Sequence, residues 1–160
     1  MRNTRLCHIE KDGCYLMLHR IKKENDLNRD KCGGIGGGFE DKESPEQANA
    51  REGLEETGLT LTSCKYRGIV TFVSDKWETE YMHIFTADGF TGDIIDCDEG
   101  ELCWVDKQEI YSLPIWEGDK IFLKLIENPD EPFFSLRLEY CGETLVSAVL
   151  HGEELLKTEM

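Results

Sequence analysis

Apolar and polar residues alternate in short runs over much of this chain, and their spacing separates strand-like from helix-like segments. Residues 5–10 and 14–20 read as two strands around a Lys11-Asp12-Gly13 turn. In the second, Tyr15-Leu16-Met17-Leu18 is apolar enough to be buried on both faces. The charged stretch 21–31 reads as a loop. It leads into Gly33-Gly34-Ile35-Gly36-Gly37-Gly38, where the backbone is free to adopt conformations other residues avoid. Residues 64–74 and 79–88 return to strand periodicity. Leu102-Cys103-Trp104-Val105 is a short buried-type strand, followed by a helical turn near 107–111. Ile121, Phe122, Leu125 and Ile126 share one face of a helix starting near Asp119. Phe134–Tyr140 and Thr144–Leu150 flank Cys141-Gly142-Glu143 as a hairpin.

The clearest helix signals lie between residues 44 and 58. Ser44 is suited to the N-cap, Pro45 to the first helical position, and Gln47 completes a capping box with Ser44. Gly58 supplies the stop. The predicted helix runs from 45 to 57. Several strands mixed with a few helices point to an α/β or α+β domain.

A chain of 160 residues fits one domain, residues 1–160, and the pattern shows no repeat or linker. No apolar run approaches the length of a membrane span. Met1-Arg2-Asn3-Thr4-Arg5-Leu6 lacks the apolar stretch of a secretory signal, so a cytoplasmic location is expected. The net charge of −15 disfavours a nucleic-acid polymer as partner but not a small phosphorylated ligand. A divalent cation held by carboxylates inverts the local field. The seven cysteines form no C-x-x-C pair, and reduced thiols are expected, most of them acting as small core residues.

Chemistry concentrates between Gly37 and Leu59. On the predicted helix Glu52, Glu55 and Glu56 stand at i, i+3 and i+4, within a face about 100° wide. Ala50, Gly53, Leu54 and Thr57 form the opposite, packing face. Three carboxylates on one side repel each other without a counter-charge, and hard cations such as Mg²⁺ or Mn²⁺ take such oxygen ligands together with substrate phosphates. No Gly-Lys-Ser/Thr follows the glycine run, which disfavours a P-loop.

Read as G-x5-E-x7-R-E-x-x-E-E-x-G, every fixed position is present: Gly37, Glu43, Arg51, Glu52, Glu55, Glu56 and Gly58. This pattern resembles the signature of the Nudix hydrolase family. The likeness is closest to the MutT-type 8-oxo-dGTP diphosphatase branch, through Leu16-Met17-Leu18-His19-Arg20, Gly34-Ile35-Gly36-Gly37, Asp98-Glu99, Cys103-Trp104-Val105 and Trp116-Glu117-Gly118-Asp119. The resemblance implies an α/β/α sandwich with a mixed sheet, and Mg²⁺-dependent (Mn²⁺ as the alternative) attack of water on a nucleotide diphosphate linkage. It implies metal ligation by Glu52, Glu55, Glu56 and the Gly36 carbonyl, with Glu99 as a further ligand, and leaves Glu99, Glu52 and Glu55 all open as the carboxylate that takes the proton from water. Glu43 and Arg51 would orient these carboxylates. Gly37 and Gly38 would shape the loop at the substrate, and Trp116, Asp119 and Phe72 would hold the nucleobase. A nucleotide is the expected partner, the protein a monomer or small homo-oligomer.

The chain departs from the family pattern at three places. Gly53 replaces an aliphatic packing residue, at about 1 kcal/mol of helix propensity relative to Ala. Cys32 and Gly33 stand where relatives often carry Trp and, in some members, a base-reading Asn. Gly38 replaces a common Lys. The rival readings are a Nudix enzyme for another substrate (a different NTP or dNTP, ADP-ribose, a dinucleotide), a non-catalytic nucleotide sensor, and an acidic metal buffer. Sensors typically lose box carboxylates, and a metal buffer leaves Gly37, Arg51 and Gly58 unexplained.

Overall fold

A computed structural model of the protein describes residues 1–20, 31–97 and 100–157. The predicted loop at 21–31 lies outside the described residues except for Lys31, and Glu99 lies outside them altogether.

Ten strands among the described residues form one mixed sheet: β1 Arg2–Lys11, β2 Cys14–His19, β3 Cys32–Gly33, β4 Ile35–Gly38, β5 Thr60–Ser74, β6 Glu80–Thr91, β7 Glu101–Asp106, β8 Phe134–Cys141, β9 Thr144–Leu150 and β10 Glu153–Lys157. The order is β10-β9-β8-β5-β6-β1-β2-β3, with β4 paired to β1 and β7 to β2. The pairs β1–β6 and β5–β8 are parallel, and the remaining pairs antiparallel. Two helices complete the fold, α1 Pro45–Thr57 and α2 Asp119–Glu127. A 3-10 turn covers Ile110–Ser112, overlapping the end of the stretch 107–111 where a helical turn is predicted.

Strand alternation sorts the core into two layers. Tyr15, Met17 and Ile84 point to one face, where they meet Phe122, Leu123 and Ile126 of α2 and the buried residues Leu136, Leu138 and Tyr140 of β8. Leu16, Leu18 and Phe85 point to the other face, together with Cys7, Ile9 and Leu59. Helix α1 covers that second face: Asn49 donates to Cys64 Sγ at 3.8 Å, and Gly53 lies against Leu61. One helix on each face of a mixed sheet is the α/β/α sandwich expected from the resemblance.

Four details differ from the sequence expectation. The glycine run enters the sheet as β4, with Gly36 opposite Leu6 and Gly37 opposite Arg5, because backbone pairing needs no side chain. Strands β5 and β6 extend beyond 64–74 and 79–88, and β5 absorbs the extra residues in register shifts between Leu61 and Gly68. Helix α1 buries Ala48, Asn49, Gly53 and Thr57, whereas Ala50 is exposed and Leu54 is 49% exposed. The packing face is therefore rotated towards Asn49. The Asn49 amide N–H donates to Cys64 and the Thr57 hydroxyl to the Gly53 carbonyl at 2.5 Å, which satisfies those two donors, while Asn49 Oδ1 is buried without a hydrogen-bond partner among the described residues. Strand β10, an exposed edge after the His151-Gly152 turn, follows a polar pattern that carries no strand signal.

Candidate functional site

Helix α1 begins where its capping residues put it. The Ser44 hydroxyl accepts from the Gln47 backbone N–H at 3.1 Å, and the Ser44 N–H donates to Gln47 Oε1 at 2.9 Å, with Pro45 entering the first turn. Gly58 ends the helix at φ 81°, its N–H donating to the Leu54 carbonyl at 2.9 Å. These two fixed ends set the rotation of Arg51, Glu52, Glu55 and Glu56 relative to β4.

Arg51 is the hub of the acidic face. Its Nε and Nη2 donate to the two Glu43 oxygens at 2.7 and 2.9 Å, a bidentate pair. Nη2 also donates to the Gly38 carbonyl at 3.0 Å, and Nη1 to Glu52 Oε1 at 2.9 Å and Glu55 Oε2 at 3.1 Å. The hydrogen bonds from Arg51 hold the Glu43 carboxyl below its usual range, and the same contact raises the Arg51 guanidinium. Glu43 also accepts the Glu40 N–H at 2.7 Å, which ties the segment after β4 to the helix.

Gly37 leaves room for Glu52. A Cβ built on it would stand 2.5 Å from the Glu52 carboxyl, so any larger residue there would push that carboxylate out of this position. Gly36 precedes it in β4, and Gly38 ends the strand with its carbonyl on Arg51. Glu56 lies on the inner flank of the helix, with Oε2 withdrawn from solvent, whereas the Glu55 side chain is 58% exposed.

The structure thus brings together Glu43, Arg51, Glu52 and Glu55 through one guanidinium, with Glu56 on the same side. Among the described residues no three Asp, Glu, His or Cys side chains stand close enough to hold a metal ion together. The donor types nevertheless suit a hard divalent cation: three carboxylates from one helix beside a glycine strand, with Glu52 seated where a Cβ would otherwise be.

The expected nucleobase residues form a second group, on the α2 side of the sheet. Phe72 and Trp116 are 6% and 7% exposed, with ring centroids 5.8 Å apart, and both meet Tyr140, at 5.2 and 4.9 Å. They are part of the core. Lys31 Nζ lies 5.2 Å from the Trp116 ring centroid and 3.0 Å from Glu143 Oε1. Asp119 is the first residue of α2, with Gly118 in the N-cap position, so its side chain does not cap the helix. Burial pushes the Asp119 carboxyl up to about 7, against the opposing pull of Lys31.

The sequence reading left out Arg5, Lys31 and Tyr140. Tyr140 follows the alternation of Leu136 and Leu138, and Arg5 that of Cys7 and Ile9, so strand period places both on buried faces. Lys31 closes a charged run and carries no such signal.

The NUDIX domain family profile matches residues 2–126. An oxidized purine nucleoside triphosphate hydrolase of Danio rerio is 35% identical over 106 residues, covering 65% of this chain and 67% of that protein. The uncharacterized Nudix hydrolase YvcI of Bacillus subtilis (strain 168) is 36% identical over 89 residues, covering 52% and 56%. Among solved structures, a MutT protein from Bacillus halodurans superposes with a TM-score of 0.83 at 24% identity, covering 96% of this chain and 99% of that one. A MutT protein from Methanosarcina mazei Go1 gives 0.71 at 22%, covering 81% and 95%.

Proposed function

This chain belongs to the Nudix hydrolase family, and from that premise we propose that it is a Mg²⁺-dependent nucleoside triphosphate pyrophosphohydrolase that converts an oxidised purine nucleotide such as 8-oxo-dGTP to its monophosphate and pyrophosphate. The observation that carries this reading is the complete carboxylate set of α1, organised by Arg51 against the glycine strand β4. The zebrafish relative, named for oxidised purine nucleoside triphosphates, supports the choice of substrate.

Members of the family generally use divalent metal ions, and here Glu52, Glu55, Glu56 and the Gly36 carbonyl would hold Mg²⁺, with Mn²⁺ as its substitute and Glu99 as a further ligand or general base. The chemistry such a cation supplies is a more acidic bound water and neutralisation of charge on the phosphate oxygens. The protein's own contribution is orientation. Arg51 fixes Glu52 Oε1 at 2.9 Å while Oε2 lies over Gly37, and Glu43 fixes Arg51 in turn. Gly37 keeps the Glu52 carboxylate close to β4, and Gly38 anchors the loop by its carbonyl. On the other side of the sheet Trp116 and Phe72 would wall the base, and Asp119, kept partly neutral near pH 7, would offer either a donor or an acceptor to its edge.

The test is product identity. Incubation with 8-oxo-dGTP and Mg²⁺ should release the monophosphate and pyrophosphate, and chelation by EDTA should stop the reaction. Formation of the diphosphate and inorganic phosphate would overturn the bond assignment. Full turnover in EDTA would overturn the metal site. Binding without turnover, for any nucleotide, would favour the sensor reading.

A further inference from the structure

Arg5 belongs to none of the motifs above, yet it lies beneath the acidic helix. In β1 it alternates with Cys7 and Ile9, and all three are at most 1% exposed, so its side chain enters the layer between the sheet and α1. Nη1 donates to the Ile35 carbonyl of β4, while Nε and Nη2 are buried without a hydrogen-bond partner. In the β1–β4 register Arg5 stands opposite Gly37, the glycine on which the Glu52 carboxyl rests. The charges of Glu56 and Glu52 both act on the guanidinium.

A guanidinium stays charged in a protein interior, and burying it with unmatched donors is costly. Burial is the largest influence on it, and the fields of Cys7, Glu56 and Glu52 offset part of that cost. The effect is reciprocal. Glu52 and Glu56 feel a fixed positive charge from inside the protein, as Glu52 and Glu55 feel Arg51 from outside. With Glu40, whose Oε1 lies 3.6 Å from Arg51 Nη1, five carboxylates (Glu40, Glu43, Glu52, Glu55, Glu56) face two guanidiniums and leave a negative excess for a cation.

We propose that Arg5 is a positioning residue, an internal counter-charge that offsets the repulsion between Glu52 and Glu56, keeps the site assembled without metal, and weakens its affinity for a divalent cation. This inference rests on the metal reading of α1. It concerns how the protein's own charges tune that site.

The experiment is a Mn²⁺ titration of the full chain, followed by electron paramagnetic resonance of the free ion, for wild type, Arg5→Met and Arg5→Lys. The neutral variant should bind Mn²⁺ about fivefold or more tightly, since a cation-on-cation repulsion is gone, and the Lys variant should stay near wild type. The rise in Tm on adding Mg²⁺ should also be larger in Arg5→Met than in wild type. A purely structural Arg5 would instead lower Tm equally with and without metal. Arg5→Gln, which is neutral but keeps hydrogen-bond donors, replaces the Met variant should that chain fail to fold. Unchanged or weaker Mn²⁺ binding in the neutral variant overturns the proposal. Glu56→Gln separates the two ideas: if it leaves Mn²⁺ binding intact the metal reading itself fails, and if it weakens binding while Arg5→Met changes nothing, only the Arg5 inference fails.

Discussion

Single residues decide whether this site can work. Asp119 shows how: its carboxyl sits at about 7 because burial penalises the charged form, against an ordinary value of 3.8. The folded chain therefore holds a proton between about pH 4 and 7 that the unfolded chain has released. Across that window the contribution of Asp119 to stability falls as pH rises, and above about 7 the ionised carboxylate is a liability. Asn in its place mimics the neutral carboxyl at every pH. Denaturant midpoints should show Asp119→Asn gaining on wild type from pH 5 to pH 8, and an equal difference at both pH values would refute the assignment. Lys31, which pulls the other way, moderates the effect without reversing its sign.

At the scale of elements, α1 shows what spacing can and cannot convey. Its ends were legible, because Ser44, Pro45, Gln47 and Gly58 act locally and the structure uses all four. The grouping of Glu43, Arg51, Glu52 and Glu55 was legible from the motif, and the structure joins them through one guanidinium. The rotation of the helix was not. The apolar positions Ala50 and Leu54 suggested a packing face that polar satisfaction overrode, since Asn49 and Thr57 find partners inside. Nor was β4 legible, because glycines carry no strand propensity and the pairing with β1 is a long-range event. Gly53 tests the same element. Glycine in mid-helix costs about 1 kcal/mol relative to Ala. A Cβ there would meet Leu61, its Cδ1 at 3.1 Å and its Cγ at 3.4 Å, a half-buried side chain that can turn aside. Gly53→Ala should therefore raise Tm by roughly 1–4 °C, and Gly53→Leu should lower it. A fall in the Ala variant would mean that α1 is clamped on β5 without slack.

At the scale of the molecule, the NUDIX family match ends at residue 126, but the core does not. Strand β8 pairs in parallel with β5 and brings Phe134, Leu136, Leu138 and Tyr140 into the layer that holds Trp116 and α2, and β9 adds Ala148. Each such buried side chain contributes about 1.5–3 kcal/mol, and total stabilities are about 5–15 kcal/mol. A chain ending at Glu127 should accordingly be unfolded by circular dichroism. One ending at His151, without the exposed strand β10, should retain a cooperative thermal transition. A folded shorter chain would show that the α2 layer is complete without β8. The acidic helix and the buried rings of Trp116 and Phe72 stand on opposite faces of one sheet, so the same framework sets the position of both.

Under the proposed function, this framework cleaves an oxidised purine nucleoside triphosphate in preference to the normal one. Steady-state pyrophosphate release with Mg²⁺ should give a kcat/KM for 8-oxo-dGTP at least about tenfold above that for dGTP, or ~1.4 kcal/mol in transition-state binding. Equal values, or a preference for dGTP, another dNTP, ADP-ribose or a dinucleotide, would contradict the substrate assignment.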